Sequence, residues 1–276
     1  MSAGIGIEKL AEDLPQLYLD PDKDSADCYK RIVLRGEEPE TKCLGHYTGD
    51  PGDRDETAET PAGPVRVVTL GNRKDFELVL RGLMAARNGP LAEIPESQGA
   101  AMLTVFNWNR IKAHLASFPE DEQAAEFKRF TSVKENYTDM LIVLSRGPYS
   151  GVRAEEAGFG QAEWLEISDT IRRYHELTHV ICRRLYSGRI DAVKDEVVAD
   201  AVGIYAALGH YDPDLAGLFL GVRDGEYTGG RLGNYADEPE RLAVDVNKMI
   251  KDIQKLIEAQ AGAEPVGLIP IMMGAE

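Results

Sequence analysis

Two histidines four residues apart, with a glutamate directly after the first, are the strongest chemical signal in the sequence. Residues 172–182 read RRYHELTHVIC and contain His175, Glu176 and His179. On a helix, both imidazoles would project from one face, one turn apart, and could bind a single metal ion. The Glu176 side chain would be rotated by about 100° from that of His175. This rotation predicts that the carboxylate lies beside the open side of the metal, where it can accept a proton from an activated water.

A second acidic motif follows on the next predicted helix. A catalytic zinc site needs a third protein ligand and leaves its fourth position to water. Glu196 and Asp200 are four residues apart, so they share a helical face, and they lie among apolar residues, where carboxylates require partners. We predict that Glu196 is the third metal ligand and that Asp200 accepts a hydrogen bond from the second nitrogen of a ligand histidine. Asp191, Asp195 and His210 are alternatives for the third ligand.

The elements that must position these motifs predict an α+β fold with strands first and helices later. Runs of β-branched and apolar residues predict strands at 29–34, 65–70, 101–108 and 139–145. Apolar spacings of three and four residues predict helices at 74–87, 110–118, 120–133, 161–186, 192–208 and 239–260. Ser168 or Asp169 could cap the start of the helix that carries the histidines.

The domain organisation predicted from the sequence is simple. The whole chain, 1–276, is interpreted as one domain whose metal-binding helices lie at about 165–208. Residues 36–64 are rich in Asp, Glu, Gly, Pro and Thr and poor in apolar residues. They predict a long acidic loop or a hairpin insertion.

The two metal motifs together resemble those of a known group of enzymes. HExxH on one helix with ExxxD on the next is the pattern of the gluzincin metallopeptidases. The text DEVVADAVGIYAALGHYDP is most similar to the HtpX-type and CaaX-prenyl-protease group, although this chain lacks the membrane helices of that group. The resemblance implies a zincin-like domain, with N-terminal strands and helices packed on a helical half that carries the metal. It also implies one Zn²⁺ held by His175, His179 and Glu196, with Glu176 as the base and Asp200 orienting a ligand.

A hydrolase of this type also needs a donor for the developing oxyanion beyond the metal. Candidates downstream of Glu196 are His210, Tyr211, Tyr227, Arg231, Tyr235 and Arg241. We favour Arg231 and Tyr235, because both lie in the glycine-rich segment TGGRLGNY, which could fold over a cleft.

Charge and composition limit the partners and the compartment. The net charge of −16 argues against binding to nucleic acid or to anionic membranes, since both require a basic surface.

The first 20 residues contain no basic segment followed by an apolar one, so we expect no secretory signal. Three cysteines are too few for a disulfide framework and favour a reducing cytoplasm. Cys28, Cys43 and His46 lack a fourth partner for a second metal site, and Cys182 is expected to pack in the core.

These observations predict a cytoplasmic, zinc-dependent metallopeptidase-like hydrolase with one Zn²⁺ per chain, which cleaves an amide bond in a peptide or protein. Two alternatives remain. One is a zincin-fold module that keeps its metal but serves in binding or regulation, and the other is a zinc hydrolase of a small non-peptide amide. Glu176 argues against the first alternative, because a purely structural site needs no base.

Overall fold

The computed structural model of the protein divides into two compact units. Unit 1 consists of Met1–Ala58 and Val65–Ser145, and unit 2 consists of Glu59–Pro64 and Arg146–Glu276. The residues that the structure describes are 5–84, 93–186, 191–260 and 262–274. Helices are combined with a mixed four-stranded sheet, so the predicted α+β class is confirmed. Within the described residues, every helix is too short or too polar to cross a membrane.

A mixed sheet forms the centre of unit 1. Its strands are β1 (Arg54–Ala58), β2 (Val65–Leu70), β3 (Ala100–Phe106) and β4 (Thr138–Ser145), in the spatial order β1-β2-β4-β3. The two central strands, β2 and β4, run parallel, and each edge strand is antiparallel to its neighbour. The central strands are apolar runs because side chains on both of their faces are buried, as at the consecutive residues Val67 and Val68. The predicted strands at 65–70, 101–108 and 139–145 are therefore confirmed, with small differences at their ends.

Helices cover the sheet of unit 1. They are α1 (Ile5–Asp13), α2 (Ala26–Tyr29), α3 (Arg73–Leu83), α4 (Trp108–Leu115) and α5 (Glu120–Phe130). The α3 helix begins where the Asn72 side chain accepts a hydrogen bond from the Lys74 amide. Its buried face carries Phe76 and Leu80, which belong to the same core cluster as Val68 of β2. The helix predictions for this unit are confirmed, except that residues 85–87 lie outside the described residues.

The predicted strand at 29–34 is wrong, because this segment is helical. Ser25 caps α2 by accepting a hydrogen bond from the Cys28 amide, and the helix continues as a π-helical turn over Lys30–Leu34. Tyr29, Ile32 and Val33 are buried together at helical spacing. A short apolar run does not by itself distinguish a strand from a helix. The acidic segment 36–64 contains β1, which pairs as a hairpin with β2.

Unit 2 is mainly helical and contains the metal motifs. Its elements are α6 (Ala154–Ala157), α7 (Gln161–Leu185), α8 (Ala192–Leu208), α9 (Pro213–Leu220), a two-stranded hairpin of β5 (Val222–Arg223) and β6 (Glu226–Tyr227), α10 (Pro239–Glu258) and α11 (Ile269–Met273). The predicted helices at 161–186, 192–208 and 239–260 are confirmed. The apolar side chains of these helices form one large core cluster.

The helices α7 and α8 pack closely against each other. A Cβ atom on Gly203 would lie only 2.7 Å from the backbone oxygen of Ile171, so this helix crossing requires a glycine. The predicted cap at Ser168 or Asp169 is wrong, because α7 begins earlier, at Gln161. Ser168 is instead buried inside the helix, where its hydroxyl accepts a hydrogen bond from the Tyr149 amide at 2.9 Å.

Candidate metal centre

Three side chains from α7 and α8 converge on one point. The Nε2 atoms of His175 and His179 are 2.9 Å apart. The carboxylate of Glu196 lies 3.2 Å from Nε2 of His179 and 3.5 Å from Nε2 of His175. Within the described part of the chain, this is the one group of three or more His, Cys, Asp or Glu residues found with metal-binding geometry. His175, His179 and Glu196 could therefore hold a metal ion.

The hydrogen-bond partners on the far sides of the two rings determine where the imidazole hydrogens lie. Nδ1 of His175 is 3.0 Å from Oδ1 of Asp200, and Nδ1 of His179 is 2.8 Å from Oδ2 of Asp195. An ionised carboxylate only accepts hydrogen bonds, so each Nδ1 must carry a hydrogen. In a neutral imidazole, the Nε2 atom then carries a lone pair. Both Nε2 atoms consequently face Glu196 and each other, and each presents a lone pair when its imidazole is neutral.

This arrangement of acceptors requires a cation. One oxygen of Glu196, Oε2, is buried and has no hydrogen-bond partner among the described residues. Ligand atoms about 2.0 to 2.2 Å from a tetrahedral zinc ion lie about 3.3 to 3.6 Å from one another. The separations from Glu196 to the two Nε2 atoms, 3.2 and 3.5 Å, are close to this range, and the two Nε2 atoms, 2.9 Å apart, are closer together than in a zinc-bound site. Two imidazole nitrogens and a carboxylate oxygen are also a donor set that suits Zn²⁺, so the residues fit the predicted metal.

The pKa values of the metal-free centre also indicate that positive charge stabilises this group of side chains. Burial lowers the pKa of His179, but hydrogen bonds to Asp195 and Glu196 outweigh it and raise the value to about 10. Burial opposes ionisation of Glu196 and of Asp200, yet the pKa of each is lowered. The hydrogen bond from His179 dominates for Glu196, and the charge of Arg231 dominates for Asp200. A proton or a metal ion therefore stabilises this centre.

Glu176, the predicted base, is half-buried beside the ligands on α7. Its negative charge contributes to the raised pKa of His179. Burial lowers the pKa of Arg172, and the negative charge of Glu176 partly opposes this shift. The carboxylate therefore lies within electrostatic reach of both a ligand and a buried arginine.

Asp200 is fully buried and receives hydrogen bonds from two further side chains. The hydroxyl of Tyr149 donates to Oδ1 of Asp200 at 2.7 Å, and Nη2 of Arg231 donates to Oδ2. Arg231 also donates through Nη1 to the Tyr149 hydroxyl, at 2.8 Å. The hydrogen bond between Asp200 and Nδ1 of His175 is thus one part of a larger network. Sequence reasoning missed Tyr149, for which the only signal is the turn-forming text GPYSG after the last predicted strand.

The two favoured oxyanion donors, Arg231 and Tyr235, differ in the groups that surround them. Arg231 begins a 3-10 turn that ends at Asn234, and its two terminal nitrogens are engaged by Asp200 and Tyr149. Tyr235 follows that turn, and its pKa is raised by burial and by the negative charge of Glu196. Tyr235 therefore lies within electrostatic reach of Glu196, whereas the described polar contacts of the Arg231 side chain are with Asp200 and Tyr149.

Close backbone packing shapes the segment that carries these donors. A Cβ atom on Gly230 would lie 2.5 Å from the backbone nitrogen of Gly221. Gly221 itself adopts a left-handed φ of +71°. Glycine at both positions therefore lets the chain after β6 return against the end of α9.

The remaining oxyanion candidates make no described hydrogen bond to His175, His179 or Glu196. Tyr227 bonds to Gly230, Arg241 pairs on the surface with Glu238, His210 is exposed, and the Tyr211 hydroxyl is buried with no partner among the described residues.

Asp191 caps α8 by accepting a hydrogen bond from the Lys194 amide. Asp195, an alternative third ligand, instead holds a ligand histidine. Cys28, Cys43 and Cys182 are free thiols, and Cys182 is buried.

Comparison with known proteins gives a family but no function. A family model described as a family of unknown function, DUF7005, matches residues 9–263, which is most of the chain. No curated protein matches the chain, and no solved structure matches it. The chain therefore belongs to the DUF7005 family, whose function is unknown.

Proposed function

We propose that this protein is a zinc-dependent hydrolase that cleaves an amide bond in a peptide or protein. One observation carries the proposal. The Nε2 atoms of His175 and His179 and the carboxylate of Glu196 converge, and Glu176 directly follows His175 on the same helix. Three protein ligands leave one position of a tetrahedral zinc ion open, as in catalytic sites, whereas structural sites are closed by a fourth protein ligand.

The metal, Glu176 and Tyr235 would each have a separate role in hydrolysis. A bound Zn²⁺ would polarise the substrate carbonyl and lower the pKa of the attacking water. Glu176 accepts the proton of that water and passes it to the leaving amine. Tyr235, which lies within electrostatic reach of Glu196, is a candidate to donate a hydrogen bond to the oxyanion.

Burial of the centre supports the same proposal. His175 is only 4% exposed and Glu196 only 8% exposed. A site that excludes most water strengthens each electrostatic interaction within it, including those with charge that develops during the reaction. The unpaired cysteines favour a reducing compartment, so we place this activity in the cytoplasm.

Digestion of an unbiased peptide library tests the proposal. The zinc-loaded protein should produce new peptide ends, a chelator should stop this, and Zn²⁺ added back should restore it. Zinc-loaded protein that cleaves no peptide but hydrolyses small amides would favour a hydrolase of non-peptide amides. Zinc-loaded protein without either activity would overturn the hydrolase proposal and favour a binding or regulatory module.

A further inference from the structure

The hydroxyl of Tyr149 is a junction between separate segments of unit 2. It lies 2.8 Å from Nδ1 of His175 on α7 and 2.7 Å from Oδ1 of Asp200 on α8. It also lies 2.8 Å from Nη1 of Arg231, on the segment that follows the small hairpin. Three side chains from three parts of the chain therefore meet at one oxygen atom.

The hydrogens at this junction can be assigned by counting donors and acceptors. A phenol has one hydrogen to donate and two lone pairs to accept with. Asp200 is an anion that only accepts, so the Tyr149 hydrogen goes to Asp200. Arg231 only donates, so it occupies one lone pair of the hydroxyl. The second lone pair remains for the Nδ1 hydrogen of His175, which the Tyr149 hydroxyl shares with Oδ1 of Asp200. This placement agrees with a lone pair on Nε2 when the imidazole is neutral.

The rest of Tyr149 is held firmly in place. The residue is 3% exposed, and its amide donates to the hydroxyl of Ser168. Its ring packs edge-on against Phe219, with ring centres 4.8 Å apart. The guanidinium groups of Arg172 and Arg231 lie 5.8 and 5.0 Å from the ring centre. The hydroxyl therefore has a defined position from which it can orient its neighbours.

We propose that Tyr149 is a positioning residue of the metal centre. Through its hydroxyl it holds the hydrogen of His175 on Nδ1 and turns Nε2 toward Glu196 and His179. The hydrogen bond from Arg231 to the same hydroxyl also connects His175 to the segment that carries Tyr235. The inference rests on the metal centre of the proposed function, but it requires no substrate and no catalysis.

A pair of tyrosine variants tests the proposal. Tyr149→Phe removes the hydroxyl at the junction. Tyr211→Phe makes the same change at a buried tyrosine of the same core cluster whose hydroxyl has no partner among the described residues. Titration against a competing chromophoric chelator should show zinc binding weakened by about 10-fold in Tyr149→Phe, the scale typical of partners that orient a ligand. Tyr211→Phe should bind zinc as the unchanged protein does.

Nuclear magnetic resonance of the histidine rings separates positioning from a general loss of structure. In the metal-free protein, ¹H–¹⁵N correlations should place the His175 hydrogen on Nδ1. Tyr149→Phe should broaden or shift the signals of His175, whereas those of His179, which Asp195 holds, should remain. Thermal melting of both variants without metal checks that each is folded.

Two results would overturn the inference. One is a zinc affinity for Tyr149→Phe equal to that of Tyr211→Phe, with unchanged His175 signals. The other is a His175 hydrogen on Nε2 in the unchanged protein. This measurement uses no variant, so it overturns the inference even if Tyr149→Phe does not fold. Neither measurement involves hydrolysis. A protein that binds zinc and loses affinity as expected, but cleaves nothing, would contradict only the proposed function.

Discussion

Asp195 accepts a hydrogen bond from Nδ1 of His179 at 2.8 Å, and it directly precedes Glu196, the proposed third ligand. One helix, α8, thus supplies a carboxylate to each ligand histidine and a carboxylate that faces both Nε2 atoms. Burial raises the pKa of Asp195, but its hydrogen bond with His179 outweighs this, and the pKa is lowered overall. Asp195 therefore remains ionised and keeps the Nδ1 hydrogen of His179 in place.

We expect one zinc ion per chain, because the described residues contain a single complete ligand group. Elemental analysis of protein purified without added metal measures this ratio. His179→Ala should contain no zinc, since it removes one of three ligands. A ratio near two, or a ratio near zero that added zinc does not raise, would contradict the single-site prediction.

Glu176→Gln should retain zinc and lose hydrolysis. The amide is nearly the same size as the carboxylate, but it cannot accept the proton of water. Zinc content and peptide cleavage should be measured on the same preparation. Glu163→Gln, an exposed position on the same helix, is the control and should retain both properties. Full activity in Glu176→Gln would show that another group is the base.

Glu196→Ala and Asp200→Asn should differ in severity. Glu196→Ala removes a ligand and should abolish stable zinc binding, whereas Asp200→Asn weakens the orientation of His175 and should reduce affinity by about 10- to 100-fold. A zinc titration against a competing chelator ranks the two variants. Equal and small losses in both would show that α8 does not face the metal.

Asp200→Asn should also destabilise the metal-free protein. The variant leaves the largely buried guanidinium of Arg231 without its anion. Breaking a buried ion pair from one side typically costs about 3 to 5 kcal/mol in the free energy of unfolding. Denaturant titration measures the loss, and a change well below 1 kcal/mol would contradict the buried network.

The stability of the metal-free protein should fall between about pH 6.5 and pH 10. The pKa of His179 is about 10 in the folded protein and about 6.5 in an unfolded chain. Because the folded value is the higher one, protonation stabilises the folded state fully below about pH 6.5, and this contribution is lost as the pH rises through 10. Denaturant titrations at a series of pH values measure the change. His179→Gln, which does not ionise, should show a smaller fall, and an equal fall would contradict the assignment.

Gly203→Ala should reduce both stability and zinc affinity. Its Cβ atom would lie 2.7 Å from the Ile171 backbone oxygen, so α7 and α8 would have to move apart and the ligands with them. Overpacking of this kind costs about 1 to 3 kcal/mol. Gly267→Ala, where a Cβ atom would meet nothing within 4 Å, is the control for melting and zinc titration. Equal behaviour of the two variants would show that the helix contact tolerates a methyl group.

The sequence by itself determined the parts of the centre that lie on single helices. Four-residue spacing sets the relative direction of His175 and His179, and of Glu196 and Asp200, because helical geometry repeats every 3.6 residues. The long amphipathic helices and the apolar central strands were predictable for the same local reason. The helix at residues 30–34 was not, since a short apolar run suits either period until packing selects one.

Only the tertiary structure decided which side chains support the ligands. Tyr149 meets His175, Asp200 and Arg231 across separations of 26, 51 and 82 residues along the chain. No periodic pattern links positions so far apart, because their contacts depend on how whole helices pack in the core. The same packing directed Arg231 to Asp200 and brought Tyr235 within electrostatic reach of Glu196, although both belong to one short glycine-rich segment. Residue spacing sets the relative direction of side chains within one helix or strand. Which helices and strands lie next to each other is set by the burial of their apolar faces.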